Sequence, residues 1–338
     1  LLSATTSARG RAQAVWTLCR IEGPEARAAV RLALDDSDPI VVQAACHAIA
    51  VHRDERALPG LLRGLTDWPA ATRRAAAEAI GRIGDSSAIP VLLQAIGESE
   101  REVDDDSLRI LEHSLTFALI EIAERERDSS AVRQELVTGL GADAPHVARA
   151  AAICLDQRRL DELLADRVLP WLDGDDPLLS ATAEWIVGQR GDWSERLASR
   201  VPTAMEKALR EARPTAPAWI VSGLDRPTVS AAVATWLMQV GTDAPQADRV
   251  VAIVTSLAAE KCDVPIAAAV QLILTAASDS KQIDLCDWAA GLPAEIASTS
   301  GLTESLRSIA GDSERSAAVR LAAAAACPVN FAPLEQPS

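Results

Sequence analysis

The chain has 338 residues, 49% of them hydrophobic but only 3% aromatic, and a formal net charge of −15. Ala, Leu and Val must therefore fill the interior, which suits closely packed helices better than a β-rich fold. A duplex-binding surface needs many cations to displace counterions, so a summed charge of this sign makes nucleic acid an unexpected partner. No window reaches the ~18 consecutive apolar residues of a membrane-spanning helix.

Three stretches align without a gap: Ala14–Leu34, Ala45–Leu65 and Ala76–Ile96. Leu18, Ile49 and Ile80 fall 31 residues apart, as do Leu34, Leu65 and Ile96 and also Ala26, Ala57 and Ala88. Each unit is predicted to be two helices. In the third, Ala75, Ala76, Ala79, Ile80 and Ile83 share one helical face, and a break follows at Gly84-Asp85. Ser86 or Ser87 is then expected to cap a second helix carrying Ile89, Leu92, Leu93 and Ile96. Pro90 sits in its first turn, where a missing N–H costs little. Two such helices cannot bury their apolar faces alone, and stacking neighbours solves the problem.

The register then slips. Leu119 matches Ile80 but lies 39 residues on, which implies an acidic insert over residues 97–106. That insert, with Asp104, Asp105 and Asp106, is expected to be a loop between helix pairs. A helix from Ser107 to about Glu126 and a partner over about 131–140 should follow. Further first helices open at Asp143-Ala-Pro145 and Asp176-Pro177, each similar to Asp38-Pro39, since a cap residue before proline is a start signal. Beyond about Arg200 the repetition blurs. Helices are still predicted over 227–240, 247–261, 265–277, 282–290 and 313–327, and residues 328–338 look like a linker. The expected organisation is regular repeats over 1–200, an irregular helical continuation over 201–327, and the tail.

Asp38-Pro39-Ile40-Val41 and Ala79-Ile80-Gly81-Arg82-Ile83-Gly84-Asp85, with Ala88, Pro90 and Leu92, resemble HEAT repeats. The implied fold is all-α, a right-handed α-solenoid of HEAT-type helix pairs, regular in its first part and degenerate in its second. A fold match of this kind says little about activity. A narrower resemblance runs through Leu111–Ile122, Ala151–Gln157, Leu169–Pro177 and Trp185–Trp193. These segments are similar to the HEAT region of large planctomycete-type dehydrogenase-like proteins, in which a β-propeller precedes the helices and a c-type cytochrome module follows. The resemblance implies an extracytoplasmic segment that spaces or docks a redox domain and a haem domain; without it, a cytoplasmic location is the alternative. The Leu-Leu-Ser start fits a segment of a longer polypeptide. The chain holds neither propeller nor Cys-x-x-Cys-His, so no catalytic or haem-ligating residue carries over.

No constellation for catalysis, metal or cofactor stands out. There is no phosphate loop and no Gly-x-Ser-x-Gly elbow. No His-Glu dipeptide occurs, unlike the di-iron HEAT hydroxylases. The four histidines, His47, His52, His113 and His146, are expected in solvent or capping roles. The six cysteines read as small buried hydrophobes, with Cys19–Cys46 the most plausible pairing if any forms. The acidic insert lacks the ligand alternation of a calcium loop. Of eight tryptophans, mid-helix Trp16, Trp185 and Trp236 are expected in core or inter-repeat packing, whereas Trp68 and Trp193 near turns would anchor a contact if exposed. Arg63 and Gln94 align on successive second helices, away from the apolar stripe, and are contact candidates. The expected function is a non-catalytic interaction or spacer module that binds a protein or neighbouring domains of its own polypeptide. The alternatives are the helical module of an exported dehydrogenase–cytochrome protein, and a chromophore lyase or chaperone of the short-repeat type.

Overall fold

The computed structural model describes residues 7–99, 105–158, 161–213, 215–240, 244–257, 278–291 and 302–327. Every regular element among them is a helix. The chain divides into two compact units, Leu1–Ala183 and Glu184–Ser338. The fading of repetition near residue 200 and this division mark different things, one periodicity and the other packing.

In the first unit the helices come in pairs. They are α1 (Ala8–Cys19) with α2 (Pro24–Leu32), α3 (Pro39–His52) with α4 (Leu58–Asp67), and α5 (Ala70–Ile83) with α6 (Ala88–Ser99). Then come α7 (Asp105–Arg125) with α8 (Ser130–Leu140), and α9 (Pro145–Gln157) with α10 (Asp161–Val168). The first members pack side by side in sequence, α1 on α3, α3 on α5, α5 on α7 and α7 on α9. Of the second members, α4 packs on α6 and α6 on α8. The result is two layers with the apolar faces between them.

Local chemistry explains the helix boundaries. Asp38 accepts the Ile40 N–H at 3.0 Å with Pro39 in the first turn, and Ser7 and Ser129 cap α1 and α8. Pro145 opens α9 as expected. Helix α6 starts at Ala88, directly after Ser87. Asp85 Oδ1 accepts both the N–H and the hydroxyl of Ser87, because a carboxylate is the stronger acceptor. The Ser86 N–H instead donates to Glu126 at 3.1 Å. The acidic insert is shorter than expected: α6 extends to Ser99 and α7 begins at Asp105, while residues 100–104 lie outside the described residues.

Close approach sets the spacing. At Gly81 in α5 an added Cβ would lie 3.1 Å from the Ala118 Cα of α7, so the two helices approach closely at a residue without a side chain. Helix C-termini leave carbonyls without intrahelical donors, and a later residue repeatedly supplies one. His52, ending α3, donates from Nε2 to the Cys19 carbonyl at 2.6 Å. Arg125, ending α7, donates to Gly84 O at 2.6 Å and to Gly81 O at the end of α5. Arg158, after α9, donates to Arg127 O beyond α7. The arginine cations at these ends also oppose the negative pole of the helix dipole.

Helix α11 (Pro177–Gln189) runs across the division, with Asp176 accepting the Leu179 N–H at 2.9 Å. The second unit then holds α12 (Ser194–Arg210), α13 (Ala218–Ser222), α14 (Pro227–Gln239), α15 (Ala244–Ser256), α16 (Asp279–Ala290), α17 (Leu302–Gly311) and α18 (Ala317–Ala326). Helix α12 was not foreseen as a continuous element; it continues past the internal Pro202. Helix α14 packs on α12, α15 on α16, and α18 on both α16 and α17. The carbonyl tie recurs, with Arg226 donating to Val187 O at 2.6 Å and to Arg190 O at 3.2 Å. The helix expected over 265–277, Cys262 and the tail 328–338 lie outside the described residues. No described helix is long and apolar enough to cross a membrane.

Candidate partner-binding surfaces

On the second-helix layer, Leu32, Arg63 and Gln94 occupy the same position of successive repeats, and all three are exposed. Arg63 lies 3.9 Å from Asp35, with both side chains in solvent, a pair worth little. Gln94 donates to Glu98 at 2.8 Å. Both side chains are therefore available to a partner. Trp68 is half-buried, and its ring lies over Gly64, where an added Cβ would meet it at 2.2 Å. Trp193 does not meet the exposure condition set for an anchor. It is 2% exposed, with the Arg190 guanidinium 5.3 Å from its ring centroid, a cation–π contact that ties the turn before α12. Asp106 is 91% exposed and faces Arg109 at 3.9 Å, one turn along α7. Asp105 begins that helix, and Asp104 lies outside the described residues.

The first-helix layer was not singled out from the sequence, and two tryptophans expected in core or inter-repeat packing lie half exposed there and on α11. Trp16 is 43% exposed and Trp185 is 47% exposed, whereas Trp236 is buried as expected. Trp16, His47, Glu78 and Phe117 occupy equivalent positions of α1, α3, α5 and α7 by the alignment above. Phe117 is also half exposed, at 51%. The Trp16 and His47 rings stack at 6.2 Å and 17°, bridging α1 and α3. Beside this column, between α5 and α7, lies an open cleft of ≈ 460 Å³ lined by Arg74, Glu78, Arg109, Ile110, His113 and Ser114. A column that holds Trp, His and Glu in turn faces solvent, and that signal was present in the alignment.

One polar cluster escaped sequence reasoning. Glu112 of α7, 4% exposed, accepts from His146 Nδ1 at 2.8 Å and from Arg149 Nη1 at 2.8 Å, both on α9. A buried carboxylate needs such donors, so the cluster joins two neighbouring repeats. Glu112 lies more than 30 residues from both of its donors, and no local spacing announces the pairing. Arg11 grips Asp36 in a two-bonded fork at 2.7 Å and 2.7 Å. This guanidinium holds the Asp36 carboxyl below its usual range.

Cys46 and Cys154 are buried, and burial pushes each thiol up to about 12. Burial likewise raises Cys286 to about 11. Cys19 and Cys46 are both free thiols. Among the described residues, no three His, Cys, Asp or Glu side chains come together as a metal site would require.

The family model for HEAT repeats matches residues 1–70 and 52–112. No curated protein matches the chain. Among solved structures, the complex of CpcE and CpcF of phycocyanin lyase from Nostoc sp. PCC7120 is 21% identical, covering 75% of this chain and 91% of that one, with a TM-score of 0.36. Kap95p, solved with RanGDP, is 14% identical over 96% of this chain and 49% of its own, with a TM-score of 0.41. Importin beta is 17% identical over 96% of this chain and 42% of its own, at 0.35. The chain thus spans about half the length of these two larger proteins or less, and likenesses this distant carry no argument about function. The two layers of paired helices and the matched residues agree: residues 1–112 carry HEAT repeats, and the chain folds as an α-solenoid.

Proposed function

We propose that the chain is a non-catalytic interaction or spacer module, binding a protein partner or neighbouring domains of its own polypeptide. One observation supports this above the rest. Stacking consumes the apolar face of each helix pair and leaves a column of equivalent positions that reach solvent on each layer, Leu32–Arg63–Gln94 on one and Trp16–His47–Glu78–Phe117, with His47 half-buried, on the other. Repeated positions of this kind offer an extended surface, which solenoids use for binding. The test is site-specific photocrosslinking in the native cell, with the reactive group placed in turn at Arg63, Gln94, His47 and Glu78. The proposal predicts discrete adducts, to another protein or within the same polypeptide, from at least one column. Absence of adducts from all four positions overturns it.

The segment resemblance around Leu169–Pro177 and Trp185–Trp193 supports a finer version, the helical module of an exported dehydrogenase–cytochrome protein. Adjoining coding sequence tests it. A propeller on one side and Cys-x-x-Cys-His on the other would sustain it, and neither would remove it. A chromophore lyase or chaperone needs a reactive or ligating side chain within reach of solvent. Three of the five described cysteines are buried with raised pKa, which disfavours their thiolates. Mixing the protein with a bilin and finding its absorption spectrum unchanged would argue against that role.

A further inference from the structure

Two cysteines of the second unit lie on one helix contact. Cys286 sits on α16 and is buried, Cys327 directly follows α18 and is half-buried, and both are free thiols. Helices α16 and α18 pack on each other. The stripe Gln282–Cys286 of α16 looks toward α18, because Arg315, just before α18, donates to Gln282 Oε1 at 2.6 Å. On α18 the buried stripe Val319–Ala323 leads one turn on to Cys327, since residues four apart share a helical face. The Cys286 thiol feels the charge of both Arg315 and Cys327, so both ends of α18 lie within its electrostatic reach.

We propose that Cys286 and Cys327 form a reversible dithiol clasp, whose oxidation to a disulfide fastens α18 to α16. The inference goes beyond the interaction-module reading and does not depend on it. Helix phase supports it. Both helices begin after a capping serine, Ser278 and Ser316, and their starts meet at the bond between Arg315 and Gln282. Counted from those caps, Cys286 is the eighth residue and Cys327 the eleventh, a step of about 4.5 Å along the axes. A disulfide spans Cα atoms about 4.4–6.8 Å apart. Cys327 takes up the remaining distance, because it ends its helix in extended backbone, with φ −66° and ψ 127°, and moves without displacing Val319 and Ala323.

Exposure sets the order of the chemistry. The oxidant is a small disulfide such as oxidised glutathione. The Cys327 thiolate, which reaches solvent, attacks one of its sulfurs, breaks the S–S bond and releases one glutathione thiolate. Cys286 then gives its proton to water, attacks the Cys327 sulfur of the mixed disulfide and expels the second glutathione thiolate. The two released thiolates take up the two protons that the protein gave. Two protein thiols thus lose two electrons, and one small disulfide gains them. Burial pushes the Cys286 thiol up to about 11; Asp287 on its own helix and Cys327 add to this, and Arg315 opposes it. Closure by Cys286, not capture by Cys327, is therefore the slow step at neutral pH.

The test incubates the full chain with oxidised glutathione in the absence of denaturant, quenches with acid, and maps the peptides by mass spectrometry without reduction. The expected product is a Cys286–Cys327 peptide pair that dithiothreitol reverses. Amide hydrogen exchange in α18 should slow about tenfold or more once the pair forms, with exchange in α5 unchanged. Cys286→Ser should leave Cys327 as a stable mixed disulfide. Cys327→Ser, a change at a helix end, should abolish the pair with circular dichroism unchanged. In the unaltered chain, decay of the mixed disulfide should speed up about tenfold per pH unit between about pH 7 and pH 9. Recovery of both thiols free, or of Cys327 only as the mixed disulfide, overturns the inference. So does pairing with Cys262 or with a second chain instead, a pair that forms only in urea, a decay rate indifferent to pH, or exchange in α18 unaltered by the link.

Discussion

In the unit Leu1–Ala183 the first helices meet over alanine; in the unit Glu184–Ser338 the helices meet over tryptophan. Ala75, Ala76 and Ala79 of α5 and Ala148, Ala150 and Ala151 of α9 are buried. Methyl groups let helix axes approach closely, and a filler that is the same in each repeat gives the same spacing in each repeat. Trp219 and Trp236 occupy the core of the second unit. An indole fills a space of one shape, and its N–H gains from a partner, although the buried N–H of Trp219 finds none among the described residues. Trp236 donates to Glu206 at 3.0 Å, and Trp288 on α16 donates to Leu257 O at 3.3 Å. Each contact is individual, so the helix pairs take individual spacings and the period dissolves.

Removing the largest filler should break the comparison most. Trp219→Ala is expected to cost about 3–5 kcal/mol, with hydrogen-exchange protection falling around α13 and not around α5. Equal loss in both regions would show that the indole's role is not local. Overfilling the alanine contact should come next. Ala79→Leu is expected to destabilise by about 1–3 kcal/mol in denaturant unfolding, and a cost below about 0.5 kcal/mol would mean that the first-helix layer has slack. A third change sharpens what the units share. Arg125→Ala and Arg226→Ala each leave two carbonyls without a charged donor and should cost about 1–3 kcal/mol apiece, one in each unit.

The smallest effect is alkaline. The folded chain raises the thiols of Cys46, Cys154 and Cys286, so the unfolded chain releases these protons first. The stability they contribute is complete below the ordinary thiol range, near pH 8.5. It declines as pH rises toward about 12 for Cys46 and Cys154 and about 11 for Cys286. At pH 9 the loss is below about 1 kcal/mol per thiol. Cys46→Ala should reduce the slope of stability against pH, and an unchanged slope would assign the alkaline loss elsewhere.

The fold was legible in the first unit because the small filler keeps register through the first three repeats, before the slip ahead of α7. Leu18, Ile49 and Ile80, and the cap-proline starts at Pro39, Pro145 and Pro177, all sit where the alignment put them. Helix α12 was not, because Pro202 ordinarily reads as an interruption. The surface was harder to read. A first helix is flanked by neighbours on both sides as well as by its own partner, so only a narrow strip meets solvent. A mid-helix position alone put Trp16 and Trp185 in core or inter-repeat packing. Comparison down the column, Trp to His to Glu, would have placed Trp16 outside. The Glu112–His146–Arg149 cluster offered no such clue, because it needs the register of α7 against α9 and not any pattern within either helix.

The ties at the helix ends all run one way. His52, Arg125, Arg158 and Arg226 each reach back to carbonyls of an earlier segment. A repeat is therefore not finished when its own residues have been made; it is finished when its successor arrives. As the chain emerges from a ribosome, the ends of α1, α5, α7 and α11 stay open until a residue of a later helix reaches them. The same rule tells where to cut. A fragment ending at Ile83 keeps every residue of α5 and lacks the arginine that seals it, whereas one ending after Arg125 carries the seal with it.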